Sequence, residues 1–173
     1  SGTVGSGYIY SGHNDAAPNT TLAADTNDAN GYAGETNTGG NQRRTLTLTN
    51  GEVIWDFAGN SWEWTNATIP GGRQPGITGA GWGWREWTDA TINWNGLLVP
   101  SQPMALVSSP GLSGIGAWNS TQGIGKIDSN YDEANARPFL RGGNYSSRLV
   151  AGILALNLNP ATSSADIGFR VAK

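Results

Sequence analysis

Gly51-Glu52-Val53-Ile54-Trp55-Asp56-Phe57-Ala58-Gly59-Asn60-Ser61-Trp62-Glu63-Trp64 sets two apolar, β-prone runs on either side of a turn. Val, Ile, Trp and Phe suit a half-buried pleated surface, and Gly59-Asn60 supplies residues that tolerate positive φ. Immediately upstream, Arg43-Arg44-Thr45-Leu46-Thr47-Leu48-Thr49 alternates polar and apolar side chains and runs straight into Asn50-Gly51. Asn-Gly is the favoured two-residue hairpin connection because both central positions need positive φ. The reading is a hairpin of residues 43–49 with 52–57 across Asn50-Gly51, then a short strand after Gly59-Asn60.

Outward from this hairpin, residues 70–80 read as a Gly and Pro loop, and Gly81-Trp82-Gly83-Trp84-Arg85-Glu86-Trp87 adds three tryptophans. With Trp55, Trp62 and Trp64 they form a cluster that is expected to be core rather than an exposed sugar-stacking platform, since Gly spacers permit close backbone approach. Further on, Leu97-Leu98-Val99-Pro100 and Met104-Ala105-Leu106-Val107 are apolar runs, and Asp128 to Arg137 is the one segment expected to form a helical turn or two. Residues 1–42 read as turns around a short strand at Tyr8-Ile9-Tyr10. Asp25, Asn27 and Asp28 lack the Gly and distal Glu of a calcium loop and read as a solvated turn. The C-terminal stretch runs from Arg141-Gly142-Gly143 to Ile167-Gly168-Phe169-Arg170. Within it Leu154, Leu156 and Leu158 are expected on the core side of a strand, with Ile153, Ala155, Asn157 and Asn159 on the other side.

At 173 residues, with neither an internal repeat nor a composition break, residues 1–173 read as one domain. Its 26 Gly, 8 Trp and 13% charged residues describe a rigid, loop-rich domain rather than solvated disorder. The net charge is −3 and the only lysines are Lys126 and Lys173, so no basic stripe exists and nucleic acid is not expected as a partner. No apolar run approaches the roughly 20 residues of a membrane helix, so membrane insertion is not expected either. Ser1-Gly2 without a Met reads as a cloning scar, and the chain is expected to be part of a longer protein.

Chemistry is scarce. There is no Cys, which excludes disulfides, thiolate catalysis and thiolate metal sites. His13 is the only histidine, in a turn context that favours a structural role, and no Gly-x-Ser-x-Gly elbow is present. Asp56, Glu63, Glu86 and Asp89 lie among the tryptophans, where a glycosidase would place its acid and nucleophile, although acidic residues beside aromatic strands more often tie amides or arginines. No catalytic residue, cofactor or metal is expected.

Two segments carry a resemblance. Asp56-Phe57-Ala58-Gly59-Asn60-Ser61-Trp62-Glu63-Trp64 resembles a signature of the formylglycine-generating enzyme superfamily, and Arg141-Gly142-Gly143 with Ile167-Gly168-Phe169-Arg170 is similar to that superfamily's C-terminal ends. The likeness covers about residues 43–173. It implies an α+β, C-type lectin-type fold with small antiparallel sheets, long ordered loops and little helix. The superfamily's oxidases hold copper through cysteines and related members hold iron through histidines. This chain lacks both sets, so the resemblance implies a scaffold kept for binding.

A branch of that fold fits better, the variable proteins of diversity-generating retroelements. In these a C-terminal segment is rewritten at adenine-containing codons by error-prone reverse transcription, and the altered side chains form the contact face. By this resemblance the variable segment is about 143–167, with ligand contacts at Tyr145, Ser146, Ser147, Arg148, Leu149, Val150, Ile153 and Ala155. The expected partner is a macromolecular ligand, a protein in preference to a sugar. The expected setting is extracellular, on a virion or cell surface. Competing readings are an enzyme of the same superfamily acting through carboxylates and a carbohydrate-binding module using exposed Trp. Arg141 and Arg170 are expected to brace the scaffold by bonding carbonyls or the carboxylates of Asp56 and Glu63.

Overall fold

A computed structural model describes Gly12 and residues 45–47, 49–89, 91–93, 119–159 and 165–168. The readings at Tyr8-Ile9-Tyr10, His13, Asp25 to Asp28, Leu97–Pro100, Met104–Val107 and Arg170 lie outside the described residues.

Among the described residues eight strands occur in chain order: β1 (Thr45–Thr47), β2 (Val53–Trp55), β3 (Trp62–Ile69), β4 (Gly83–Arg85), β5 (Ile127–Ser129), β6 (Arg137–Arg141), β7 (Leu156–Asn157) and β8 (Ile167–Gly168). They form a two-stranded sheet, β1-β2, and a six-stranded sheet in the order β4-β5-β7-β6-β3-β8. The larger sheet is mixed, because β5 runs parallel to β7 and β3 parallel to β8. Among the described residues there is no α-helix, only 3-10 turns at Ser120–Gln122 and Arg148–Val150. The architecture is therefore sheet-rich with little helix, and the expectation of small antiparallel sheets is corrected to one antiparallel hairpin and one mixed sheet.

The hairpin forms where the sequence places it but in a different register. Thr45 faces Trp55, Leu46 faces Ile54 and Thr47 faces Val53, so the turn centres on Asn50. Of the Asn-Gly pair only Gly51 takes positive φ, at 86°. The two-residue turn is replaced by a longer one because Asn50 spends its side chain locally: Oδ1 accepts from the Glu52 N–H (3.1 Å) and Nδ2 donates to Glu52 Oε2 (3.0 Å). The turn at Gly59-Asn60 is as expected, with φ of 90° and 63°, and the strand it launches, β3, is the longest among the described residues at 8 residues.

The helical turns expected over Asp128 to Arg137 do not form. β5 ends at Ser129 and β6 starts at Arg137. Between them, side chains take the backbone donors a helix would need. Asn130 Oδ1 accepts from the Asp132 N–H, and Glu133 Oε1 accepts from the Asn135 N–H.

Two apolar clusters sit on opposite faces of the large sheet. Alternation along the strands sends Ile69, Ile127, Phe139, Leu156 and Leu158 to one face, where Trp87 and Ile124 complete the main core. The other face carries the smaller cluster of Trp62, Leu140 and Ala155, with Val150 and Ile167 against it. On that second face, register partners make one row across the sheet: Trp84 opposite Asp128, Asp128 opposite Asn157, Asn157 opposite Leu140, and Leu140 opposite Trp64. The tryptophans thus divide. Trp62 and Trp87 are buried as expected, Trp82 is half-buried, and Trp64 and Trp84 are exposed at 39% each, which corrects the expectation of an all-core cluster.

Candidate functional site

The segment after β6 is built by close backbone approach. Gly142 and Gly143 both take positive φ, 89° and 90°. The Gly142 N–H donates to Ala155 O, and Gly142 O accepts from the N–H groups of Gly59 and Gly152, all at 3.1 Å. A Cβ on Gly143 would lie 2.6 Å from Ala151 Cα, and one on Gly152 would lie 2.3 Å from Gly125 N. Only glycine fits either position without a backbone shift.

Asn144 organises the turn after these glycines. It is buried, and its Oδ1 accepts from the Ser146 N–H (3.2 Å), the Ser146 hydroxyl (3.3 Å) and the Ser147 hydroxyl. Its own N–H donates to Ser147 Oγ (2.9 Å), and its Nδ2 donates to the Asp166 carboxylate, tying the segment's start to its end. Backbone bonds complete the support: Tyr145 N–H to Asn60 O (3.0 Å), Lys126 N–H to Val150 O (3.1 Å) and Leu154 N–H to Ile124 O (2.9 Å). Asn144 was missed by sequence reasoning. The signal available was an Asn directly before Tyr-Ser-Ser, a setting in which the amide caps its own turn.

The predicted contact residues separate by burial. Tyr145 (48% exposed), Ser146, Arg148 and Ile153 (38%) face solvent. Ser147, Leu149 and Val150 are half-buried, Ser147 bonded to Asn144 and Val150 packed on the Trp62 cluster. Ala155 is fully buried, which corrects its assignment to the contact face. The reason is geometric. Ile153 and Leu154 lie in a turn, and the strand is only Leu156–Asn157, so strict alternation does not reach back to residue 153. Leu156 and Leu158 are buried in the main core and Leu154 packs against it, in line with their expected anchoring role. Arg148 holds φ of 54°, a conformation most side chains avoid, at the centre of the exposed stretch.

The four carboxylates among the tryptophans have separate structural settings. Glu63 accepts from Arg141 Nε at 3.2 Å, across a register pair of β3 and β6, and the Arg141 guanidinium lies 4.8 Å from the Phe57 ring centroid. Glu86 accepts from the Ser120 N–H and hydroxyl and pairs with Lys126 at 3.1 Å. Asp89 caps Thr91, and Asp56 is buried with φ of 45°. Among the described residues no cluster of three potential metal ligands occurs. The bracing role expected for Arg141 is thus placed on Glu63. Arg141→Ala is expected to cost about 1–2 kcal/mol in denaturant unfolding, through the lost ion pair and ring contact, while leaving the exposed face unaltered.

Acid should weaken the fold through two other carboxylates. Glu133 accepts from the Asn135 N–H and side chain and from Arg137, and these bonds hold its carboxyl below the ordinary 4.5. The Thr91 hydroxyl and N–H likewise hold Asp89 below 3.8. A depressed folded value stabilises above the unfolded value and is lost as pH falls through the folded one. Burial pushes Asp128 the other way, so its contribution is present below 3.8 and lost as pH rises through the raised value. Melting temperature should therefore fall as pH drops below about 4.5, and Glu133→Gln should flatten that fall while lowering stability at pH 7. Thermal scans between pH 7 and pH 2.5 check it.

The chain matches no family model, no curated protein and no solved structure.

Proposed function

We propose that this domain binds a macromolecular ligand without catalysing a reaction, and that the segment between Gly143 and Ile167 supplies the contact face. The observation that carries the reading is a division of labour. Tyr145, Ser146, Arg148 and Ile153 point to solvent, while the backbone beneath them is held by Gly142, Gly143 and Gly152, by Asn144, and by main-chain bonds to Asn60, Ile124 and Lys126. Such a surface can exchange side chains at little cost to its frame, as an adaptable recognition surface requires. In this reading the fold is of the C-type lectin type and the domain is a retroelement-diversified variable protein displayed on a virion or cell surface. Its ligand is a protein, because a mixed patch of Tyr, Ser, Arg and Ile suits varied macromolecular surfaces.

A stability test and a genomic test bear on it. The combined variant Ser146→Ala, Ile153→Ala should melt within about 5 °C of the parent. A much larger drop would mean that these side chains hold the fold, and the reading fails. The flanking DNA should contain a near copy of codons 143–167 differing at adenines, together with a reverse transcriptase. Their absence would sink the retroelement origin.

A further inference from the structure

The row of register partners on the second face of the large sheet has a chemistry of its own. Its two ends are exposed indoles, Trp84 and Trp64. Next to Trp84 stands Asp128, half-buried, whose carboxylate takes a backbone bond from Gly83, and next to Asp128 stands Asn157. Asn157 Oδ1 accepts from the Asn159 N–H at 2.8 Å, so the amide is fixed with Nδ2 left as its donor. Trp84 is itself fixed, since its ring stacks on the buried Trp62 with centroids 5.9 Å apart and planes 22° from parallel. One face of the Trp84 ring is thus committed to Trp62.

Leu140, the next member of the row, is buried in the Trp62 cluster, so the accessible part ends at Asn157. We propose that this end of the row, with Trp84 as its platform and Asp128 and Asn157 as its polar edge, is a binding site for neutral saccharides, separate from the surface around Tyr145. A pyranose has an apolar C–H face and a rim of hydroxyls, each both donor and acceptor. An indole held rigid from behind offers the first a flat apolar partner at little ordering cost, and an adjacent carboxylate and amide offer the second an acceptor and a donor. The charge pattern selects neutral sugars over acidic ones. The row's own ionisable group is Asp128; the Arg85 charge acts on it, but Arg85 follows Trp84 in the strand, starts from the opposite face and is held through Nη2 to Gly81 O at 3.0 Å, so the row presents a carboxylate and no cation of its own.

Cellohexaose, mannohexaose and chitohexaose, titrated separately with indole fluorescence and calorimetry, test the site, with hexagalacturonate as the acidic comparison. At least one neutral hexasaccharide should bind saturably with Kd near or below about 1 mM. Trp84→Ala should weaken it at least tenfold, Trp84→Phe should retain most of it, and Asp128→Ala should weaken it several-fold. Binding should persist in a chelator and in Tyr145→Ala, and hexagalacturonate should not bind. The proposal is overturned if no neutral hexasaccharide saturates the protein, if Trp84→Ala binds like the parent while retaining the parent's circular dichroism, or if chelation abolishes binding. None of these outcomes affects the proposed recognition surface at Tyr145, whose own tests are separate.

Discussion

Gly152→Ala is expected to cost about 3 kcal/mol or more and to lower the melting temperature by about 6–12 °C. The added methyl would lie 2.3 Å from Gly125 N, 2.4 Å from Ile124 C and 2.5 Å from Gly123 O. All three are main-chain atoms, so no rotamer change relieves the contact, and the backbones must separate. Separation would stretch Leu154 N–H to Ile124 O and Lys126 N–H to Val150 O, two bonds that fasten the exposed segment to the sheet. The loss should thus appear both in denaturant unfolding and as faster amide exchange at Lys126 and Leu154. If Gly152→Ala unfolds like the parent, the close approach of residues 123–125 to residue 152 is wrong, and so is the support assigned to the contact face.

Trp62→Ala should be of similar or larger effect, about 3–5 kcal/mol by chemical denaturation. Trp62 is buried at the start of β3, packs with Leu140 and Ala155, and backs the Trp84 ring. Its removal leaves a cavity beneath Val150 and withdraws the support of Trp84 at once. Near-ultraviolet circular dichroism should lose intensity beyond one indole's share, because Trp84 becomes mobile. Trp62→Phe should recover part of both signals. Unchanged stability in Trp62→Ala would mean that the second face has no organised core.

How much could be read from sequence alone depended on whether the physics was local. The β1-β2 hairpin was legible because alternation and Asn-Gly lie within one short window, yet its register was not, since the Asn50 side chain chose Glu52 over the tight turn. Arg141 with Glu63 was legible as a charge in need of a partner within a lysine-poor chain. Residues 128–137 misled because Glu133, Ala134, Ala136 and Arg137 are good helix formers, whereas Asn130 and Glu133 bond the backbone two residues on and fix a turn instead. Ala155 misled for a different reason. Period-two counting assumes a continuous strand, whereas a turn at Ile153-Leu154 rotates Ala155 into the Trp62 cluster. The row from Trp84 to Trp64 was invisible, because it joins residues from five strands whose order is set by crossovers.

The bond from Asn144 Nδ2 to the Asp166 carboxylate, with β8 docked beside β3, fastens the displayed segment at both ends. A loop clasped in this way bears changes in length as well as in side chain. The entropy of closing it grows only with the logarithm of its length, so that doubling the span adds about 0.6 kcal/mol. Insertions that leave the main-chain bonds of Tyr145, Val150 and Gly152 in place would therefore enlarge the displayed surface for a small, calculable penalty, and variation in this region is open to length as a second dimension beside residue identity.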